Sequence, residues 1–381
     1  TALWCLAVAA VIPIFAIGAI LMTIDPLSVF FWAWGMNLAW QALETGKMRY
    51  WILLGAAIGI GFLAKFINAM QLLSLLIFMG WSRPHRHFLF SRQNLAMFLA
   101  FAVCSFPLFW WNYQTGWLHI RALHERSGIG HTFGIHPNEV VRYLGGLLGV
   151  ITPLLLIGMV VAAIGLWRNQ SGETRVKHLL SQFLPIQIMY LLLSLNSRVE
   201  PNWMAPTLVA GIVLLVVFWR DFIHRKPGWR WVSWTALGMG LVMTLVIHTM
   251  TFFTVPLKVD LFRRGEGWHD FARHVEKARE QAHATLLIAN YYSQASMMAF
   301  YLPDHPTVYV PPAPYGDSQF TLWPGYVVKP GTHALYVTDG NSTLPPKVQD
   351  EFDHWQLVDD FWSQYHGRNT THFLIYSLQK D

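Results

Sequence analysis

Long apolar runs separated by short polar turns fill the first two thirds of the chain. A bilayer core about 30 Å thick is crossed by about 20 apolar helical residues. Runs approaching that length lie at roughly 3–22, 27–43, 51–64, 67–80, 95–113, 139–166, 179–195, 204–219 and 231–254, which predicts about nine crossings. After Pro256 the pattern changes. Polar helix signals at Trp268–Gln281 give way to the strand-like Thr285–Ala289 and then to Ser293–Tyr301. Further strand-like runs follow at Pro306–Val310, His333–Thr338 and His372–Ser377, with Pro and Gly turns between them. The expected architecture is an all-α polytopic membrane helix bundle over residues 1–255, followed by a small C-terminal α/β domain over 256–381. No internal repeat, low-complexity segment, nucleotide loop, zinc spacing or nucleophile elbow is visible.

Composition agrees with a membrane solvent: 54% of the 381 residues are hydrophobic and 13% are charged, where a soluble domain carries about a quarter charged residues. The net charge of +6 does not point to nucleic acid, because the basic residues fall in short clusters between apolar runs. These clusters are Lys47 with Arg49; Arg83, Arg86 and Arg92; Arg168, Arg175 and Lys177; and Arg220, Arg225, Lys226 and Arg230. The positive-inside rule makes those four loops cytoplasmic. Arg49 and Arg83 then share a side, so the apolar stretch between them crosses an even number of times, as a hairpin of two short helices with Lys65 at its tip. Loops 23–26, 114–138 and 196–203, and everything after residue 254, are expected outside. Cys5 and Cys104 both lie in apolar runs and read as small core residues, not a disulfide framework. The chain enters an apolar run at Ala2 with no initiator Met and no cleavage signature, and is expected to be the middle and end of a longer protein.

Four stretches could carry chemistry, and each also has a structural reading. Thr23-Ile24-Asp25-Pro26 has the form of a helix start, with Asp as cap and Pro first in the helix; equally, Asp25 could be a carboxylate at the floor of an outward cavity. Lys65, in Gly61-Phe62-Leu63-Ala64-Lys65-Phe66, either snorkels to the interface or meets a phosphate as a point charge. The loop from Trp110-Trp111-Asn112-Tyr113 through His119, Arg121, His124, Glu125 and Arg126 to His131 and His136 is irregular in its histidine spacing, which disfavours a metal site. Its arginines suit either ordinary headgroups or a lipid-linked phosphate. Ser197-Arg198-Val199-Glu200-Pro201-Asn202-Trp203 mixes charge, amide and indole as a polar site with an aromatic platform would, or as an interface anchor on Trp203 would.

In order along the chain, several stretches resemble polyprenyl-phosphate-dependent glycosyltransferases of the family 39 type, including the lipid A aminoarabinose transferases. They are Met22-Thr23-Ile24-Asp25-Pro26 with Phe30-Phe31-Trp32, Gly59-Ile60-Gly61-Phe62-Leu63-Ala64-Lys65, the Pro107–Asn112 stretch, and Glu200-Pro201-Asn202-Trp203. In the tail, Gly267-Trp268-His269-Asp270-Phe271-Ala272 and Tyr291 with Ala299-Phe300-Tyr301-Leu302-Pro303 add to the likeness. The resemblance implies a GT-C-like helix bundle with a periplasmic domain in a bacterial inner membrane. The implied reaction moves a sugar from an undecaprenyl or dolichyl phosphate carrier to an envelope lipid, glycan or protein acceptor, with no cofactor or metal demanded. It also implies that Asp25 lines the sugar and acceptor cavity, that Lys65 is the family's hairpin lysine, and that Arg126 meets the carrier phosphate. The family's principal acidic pair would precede Thr1, so this stretch alone is not expected to turn over.

The resulting expectation is an inverting transfer. Asp25 orients acceptor or sugar, Lys65, Arg126 and Arg198 stabilise the leaving phosphate, and Glu200, Asn202 and Trp203 contact sugar or acceptor. The alternative is a non-catalytic lipid-linked sugar translocator or polysaccharide-export component, a class in which repeat symmetry is common. The tail, lacking a catalytic constellation, is expected to be structural or to position the acceptor.

Overall fold

The computed structural model describes residues 1–21, 23–121, 134–250, 252–253, 260, 262, 265–311 and 318–381. The chain forms two compact units, Thr1–Thr249 and Met250–Asp381. All regular elements described in the first unit are helical. They are α1 (Ala2–Val11), α2 (Pro13–Ile20), α3 (Asp25–Thr45), α4 (Met48–Ala64), α5 (Met70–Trp81), α6 (Arg92–Gln114), α7 (Pro137–Ile151), α8 (Pro153–Gln170), α9 (Thr174–Leu193), α10 (Leu208–Arg225) and α11 (Arg230–Thr249). Short 3-10 segments, among them Phe66–Ala69 and Pro201–Thr207, join some of them.

Among the described residues, five stretches are long and apolar enough to cross a membrane: Arg92–Gln114, Pro153–Gln170, Thr174–Leu193, Pro201–Arg225 and Pro227–Thr249. Counting the bent pair α1 and α2 as one span gives six, so the unit is multi-pass, although nine full spans are not present by this measure. The difference has local causes. Pro13 interrupts the expected 3–22 helix, which bends by 72°, because proline has no N–H to continue the ladder. Pro153 likewise divides the expected 139–166 helix into α7 and α8, since the residue before a proline is pushed out of the helical region. Thr152, at this break, has φ 81° and ψ 144°, a region costly for a β-branched residue. At 1.5 Å per residue, α4 with 17 residues and α5 with 12 reach only about 25 and 18 Å. They form the predicted hairpin, with extended Lys65 at the tip.

Aromatic contacts fix the polarity of the bundle. Arg175 lies over Trp40 at 5.6 Å and Lys177 over Trp81 at 5.8 Å, so the start of α9 shares an end with the last turns of α3 and α5. Trp51 packs on Phe88 at 4.9 Å at that same end. Between α4 and α6 the backbones approach closely. A Cβ on Gly59 would lie 2.9 Å from the Phe101 carbonyl oxygen, and one on Gly55 would meet the Met97 carbonyl. This is the spacing of small residues by which membrane helices pack. Two buried clusters result, one around Leu54, Ile58, Phe78 and Met97, the other around Ile151, Leu155, Phe183, Leu208 and Leu215. Buried polar side chains cross the bundle as well. Asn68 Nδ2 donates to the Ser28 carbonyl at 3.0 Å, and Gln71 Nε2 donates to the Trp32 carbonyl at 2.9 Å and to Gln182 Oε1 at 3.3 Å.

The second unit is an α/β fold. Its sheet has the order β2 (Val308–Tyr309), β1 (Leu286–Ala289), β3 (His333–Asp339), β5 (Arg368–Gln379), β4 (His354–Tyr365). The first three strands are parallel and the last three antiparallel. Alternation distributes the core: Leu287, Ala289, Leu335 and Val337 pack with α12 (Trp268–Gln281) and α13 (Tyr292–Tyr301). On the other face, Ile288, Ala334, Tyr336 and Leu378 meet Val348 of α14 (Pro346–Glu351). The segment Ser293–Tyr301 is helical. Strand β4, which the sequence pattern does not announce, is an edge strand with register shifts at Leu357/Asp359 and Trp362/Gln364. Arg368 pairs with Asp260 and Glu266, tying both carboxylates to the start of β5.

Candidate functional site

Three separate elements converge at the end of the bundle opposite the basic turns. Asp25 is the first residue of α3, followed by Pro26. The helix preference that ends α4 fails at Lys65, whose φ −155° and ψ 132° turn its side chain out of the helix. Asn202 comes from the 3-10 segment that opens the α10 span.

Lys65 Nζ donates to Asp25 Oδ1 in an ion pair and to the Asn202 carbonyl at 3.3 Å. Asn202 Nδ2 donates to Asp25 Oδ2 at 3.1 Å. The side chains of Lys65 and Asp25 are 14% and 20% exposed, burial at which a charged pair gains more from its partner than it would in open water. An ammonium has three donors, so two are engaged here and a third remains for a ligand. Asp25 does not cap its helix through its side chain; Ile24 takes the cap position, and the carboxylate instead joins α3 to the hairpin and to the α10 span. Gly61, one turn before Lys65, permits this closeness: a Cβ there would lie 2.6 Å from Asn68 Nδ2 and 2.8 Å from Phe31 Cβ.

Asp25 and Asn202 stand at the wall of a cavity of about 850 Å³. Apart from Thr23, Asp25, Asn202 and the Cys5 thiol, its lining side chains are apolar, drawn mainly from α1, α2, the start of α3 and α10. An apolar volume with a few polar groups on its wall suits a lipid with a polar head.

The other expected residues are distributed around this end. Arg198 Nε donates to Glu200 Oε1 at 2.6 Å, and Arg142 reaches both Glu200 at 3.9 Å and Glu139 at 3.3 Å. Sequence reading did not single out Arg142 or Glu139, because an i,i+3 pair on a helix carries no signal of its tertiary partner. Trp203 packs its ring 5.9 Å from that of Tyr190. Arg198, Glu200 and Trp203 do not line the cavity that holds Asp25 and Asn202. Arg126, with His124, Glu125 and His131, lies outside the described residues. His119 sits by the hairpin tip, its ring 4.7 Å from Phe66, and the His136 amide donates to the Leu195 carbonyl at 2.7 Å, so both expected outer loops meet the same end of the bundle. Among the described residues no group of three or more His, Cys, Asp or Glu could hold a metal ion.

No curated protein and no solved structure matches the chain. Residues 1–111 match the family model described as dolichyl-phosphate-mannose-protein mannosyltransferase. The matched stretch contains Asp25 and Lys65, and the family implies a glycosyltransferase that draws on a polyprenyl-phosphate-linked sugar and passes it to an acceptor. Over residues 1–111, therefore, the chain is similar to the family described as dolichyl-phosphate-mannose-protein mannosyltransferase, in the stretch that carries the motifs around Asp25 and Lys65.

Proposed function

We propose that the protein transfers a sugar from a polyprenyl phosphate carrier to an envelope lipid, glycan or protein acceptor at the outer face of a bacterial inner membrane, with residues after 255 in the periplasm. The observation that carries this reading is that Asp25 and Asn202, at the wall of a cavity otherwise almost wholly apolar, are both joined to Lys65 just behind that wall. The prenyl chain would lie along the apolar wall, with its phosphate toward Lys65. There the third ammonium donor can follow the charge that grows on the phosphate oxygen as the bond to the sugar C1 breaks. The phosphate is charged before transfer too, so only binding that strengthens toward the transition state raises the rate. Asp25, with an oxygen held by each partner, is suited to orienting a sugar or acceptor hydroxyl or amine. Arg198 is held by Glu200 through its Nε and lies outside the cavity lining, whereas Lys65 is joined to two residues of that lining, which gives Lys65 the larger share of that work.

The test is acceptor-dependent cleavage. Protein expressed from its complete reading frame is reconstituted in liposomes with a panel of polyprenyl-phosphate sugars, and free polyprenyl phosphate is followed with and without extracted envelope acceptors. Release that requires an acceptor supports a transferase. Movement of intact carrier-linked sugar across the bilayer without cleavage would overturn it in favour of a translocator.

A further inference from the structure

The end of the bundle that carries the basic turns contains a second built cleft. A cavity of about 530 Å³ opens between the ends of α8 and α10 and is lined by Arg168, Asn169, Arg225 and Lys226 over an apolar floor that includes Phe218 and Phe222. It continues into an apolar slot of about 270 Å³ between α8, α10 and α11. The two volumes share Val161, Phe218 and Phe222 as lining residues.

The charges here are unbalanced. Asp221, the nearest acid on α10, is engaged by Arg220 at 2.9 Å and by Gln170 Nε2 at 3.3 Å. Arg225 spends its Nε on the Asp221 backbone carbonyl at 3.1 Å, and Lys226 lies 5.9 Å from the centre of the Phe222 ring. Among the described residues, none of Arg168, Arg225 and Lys226 has a carboxylate partner within 4.0 Å. Three cations at one mouth therefore stand, among the described residues, without a carboxylate at salt-bridge distance, and Asp221 acts on Arg225 only from further off. Below them the slot is shaped for a chain: Phe218 and Phe222 stack at 5.6 Å and Trp229 meets Phe222 edge-on at 6.0 Å. On α8, Gly158 and Gly165 let the helices close on each other, a Cβ at Gly165 lying 2.7 Å from Phe218 Cε2.

We propose that this cleft seats one anionic glycerophospholipid of the surrounding bilayer, its phosphate at Arg168, Arg225 and Lys226 and one acyl chain in the slot. Charge complementarity selects the occupant. A zwitterionic lipid brings its own cation to a mouth that already holds three, and free phosphate leaves the slot empty. Basic pockets between membrane helices are suited to anionic headgroups, and the attraction weakens as salt rises.

Native mass spectrometry of the purified full chain in detergent, titrated with dioleoyl phosphatidylglycerol or dioleoyl phosphatidylcholine, reads the site. At least fivefold greater retention of phosphatidylglycerol is expected. The combined Arg168→Gln, Arg225→Gln and Lys226→Gln variant should bring it to the phosphatidylcholine level, and Val161→Trp, which fills the slot, should lower retention of both lipids. Equal retention of the two lipids by the wild type, an unaltered preference in the triple variant, or complete displacement of the lipid by inorganic phosphate would each overturn the proposal. If the triple variant fails to fold, the wild-type preference at low and high salt decides the matter: a preference that falls with salt supports it, and one that does not fall refutes it.

Discussion

Asp25, Lys65 and Asn202 come from positions 40 and 177 residues apart, and each was conspicuous in the sequence for a different reason. Lys65 is a charge inside an apolar run, expensive unless paired; Asp25 precedes a proline at a helix start; Asn202 belongs to a polar cluster between crossings. What one sequence does not reveal is which charge answers which. The cap reading of Asp25 was reasonable from spacing alone, yet tertiary partners took both of its oxygens. Replacing Lys65 with Met should lower kcat tenfold or more, about 1.4 kcal/mol of transition-state stabilisation, with a smaller effect on donor KM. Steady-state kinetics would show the assignment wrong if KM rose while kcat held. Asn202→Leu should also slow turnover, and because Asn202 touches Asp25, the double variant with Asp25→Asn should depart from additivity by about 0.5–3 kcal/mol; strict additivity would mean that the two act independently.

At the scale of elements, periodicity and charge located the helices well but not their breaks. The hairpin followed from the side on which Arg49 and Arg83 lie, and α4 and α5 bear it out. The interruptions at Pro13 and Pro153 are marked in the sequence by the prolines themselves, but the apolar runs continue through both and so carry no signal of a break. Thr152, strained and with a buried hydroxyl that has no hydrogen-bond partner among the described residues, yields a direct prediction. Thr152→Gly should raise stability by about 1 kcal/mol, read as a higher melting temperature of the purified protein; an unchanged or lower one would show that the backbone at this break stores no strain. The opposite is expected at Gly59, where Gly59→Leu would drive a side chain into the α6 backbone and destabilise the bundle by about 1–3 kcal/mol or more. Strand β4 escaped notice for a different reason. Trp355, Leu357 and Trp362 are exposed while Ser363 is buried, and the register shifts break the two-residue alternation by which strands are recognised.

The whole molecule is organised by polarity. Basic turns gather at one end of the bundle and the joined Asp25, Lys65 and Asn202 at the other, a division that the distribution of arginine and lysine already announced. The second unit holds its form partly through ion pairs. Arg279 donates to both oxygens of Asp304 at 2.8 Å and keeps that carboxyl below its ordinary range. Since the folded-state value is depressed, the stabilisation is present above the unfolded value of about 3.9 and is lost as pH falls through the folded one. Hydrogen exchange in residues 268–281 should therefore separate wild type from Asp304→Asn at pH 6 and converge with it near pH 3; a constant difference across that range would contradict the linkage.

The central claim is that the site around Asp25 performs glycosyl transfer, and the most direct measurement is acceptor-dependent release of polyprenyl phosphate by wild type and Asp25→Asn in liposomes, with helix content checked by circular dichroism. A correctly folded variant that releases at least tenfold less is the predicted result. Equal release by the two proteins would contradict the claim, leaving Asp25 as a tie between helices and placing the chemistry elsewhere.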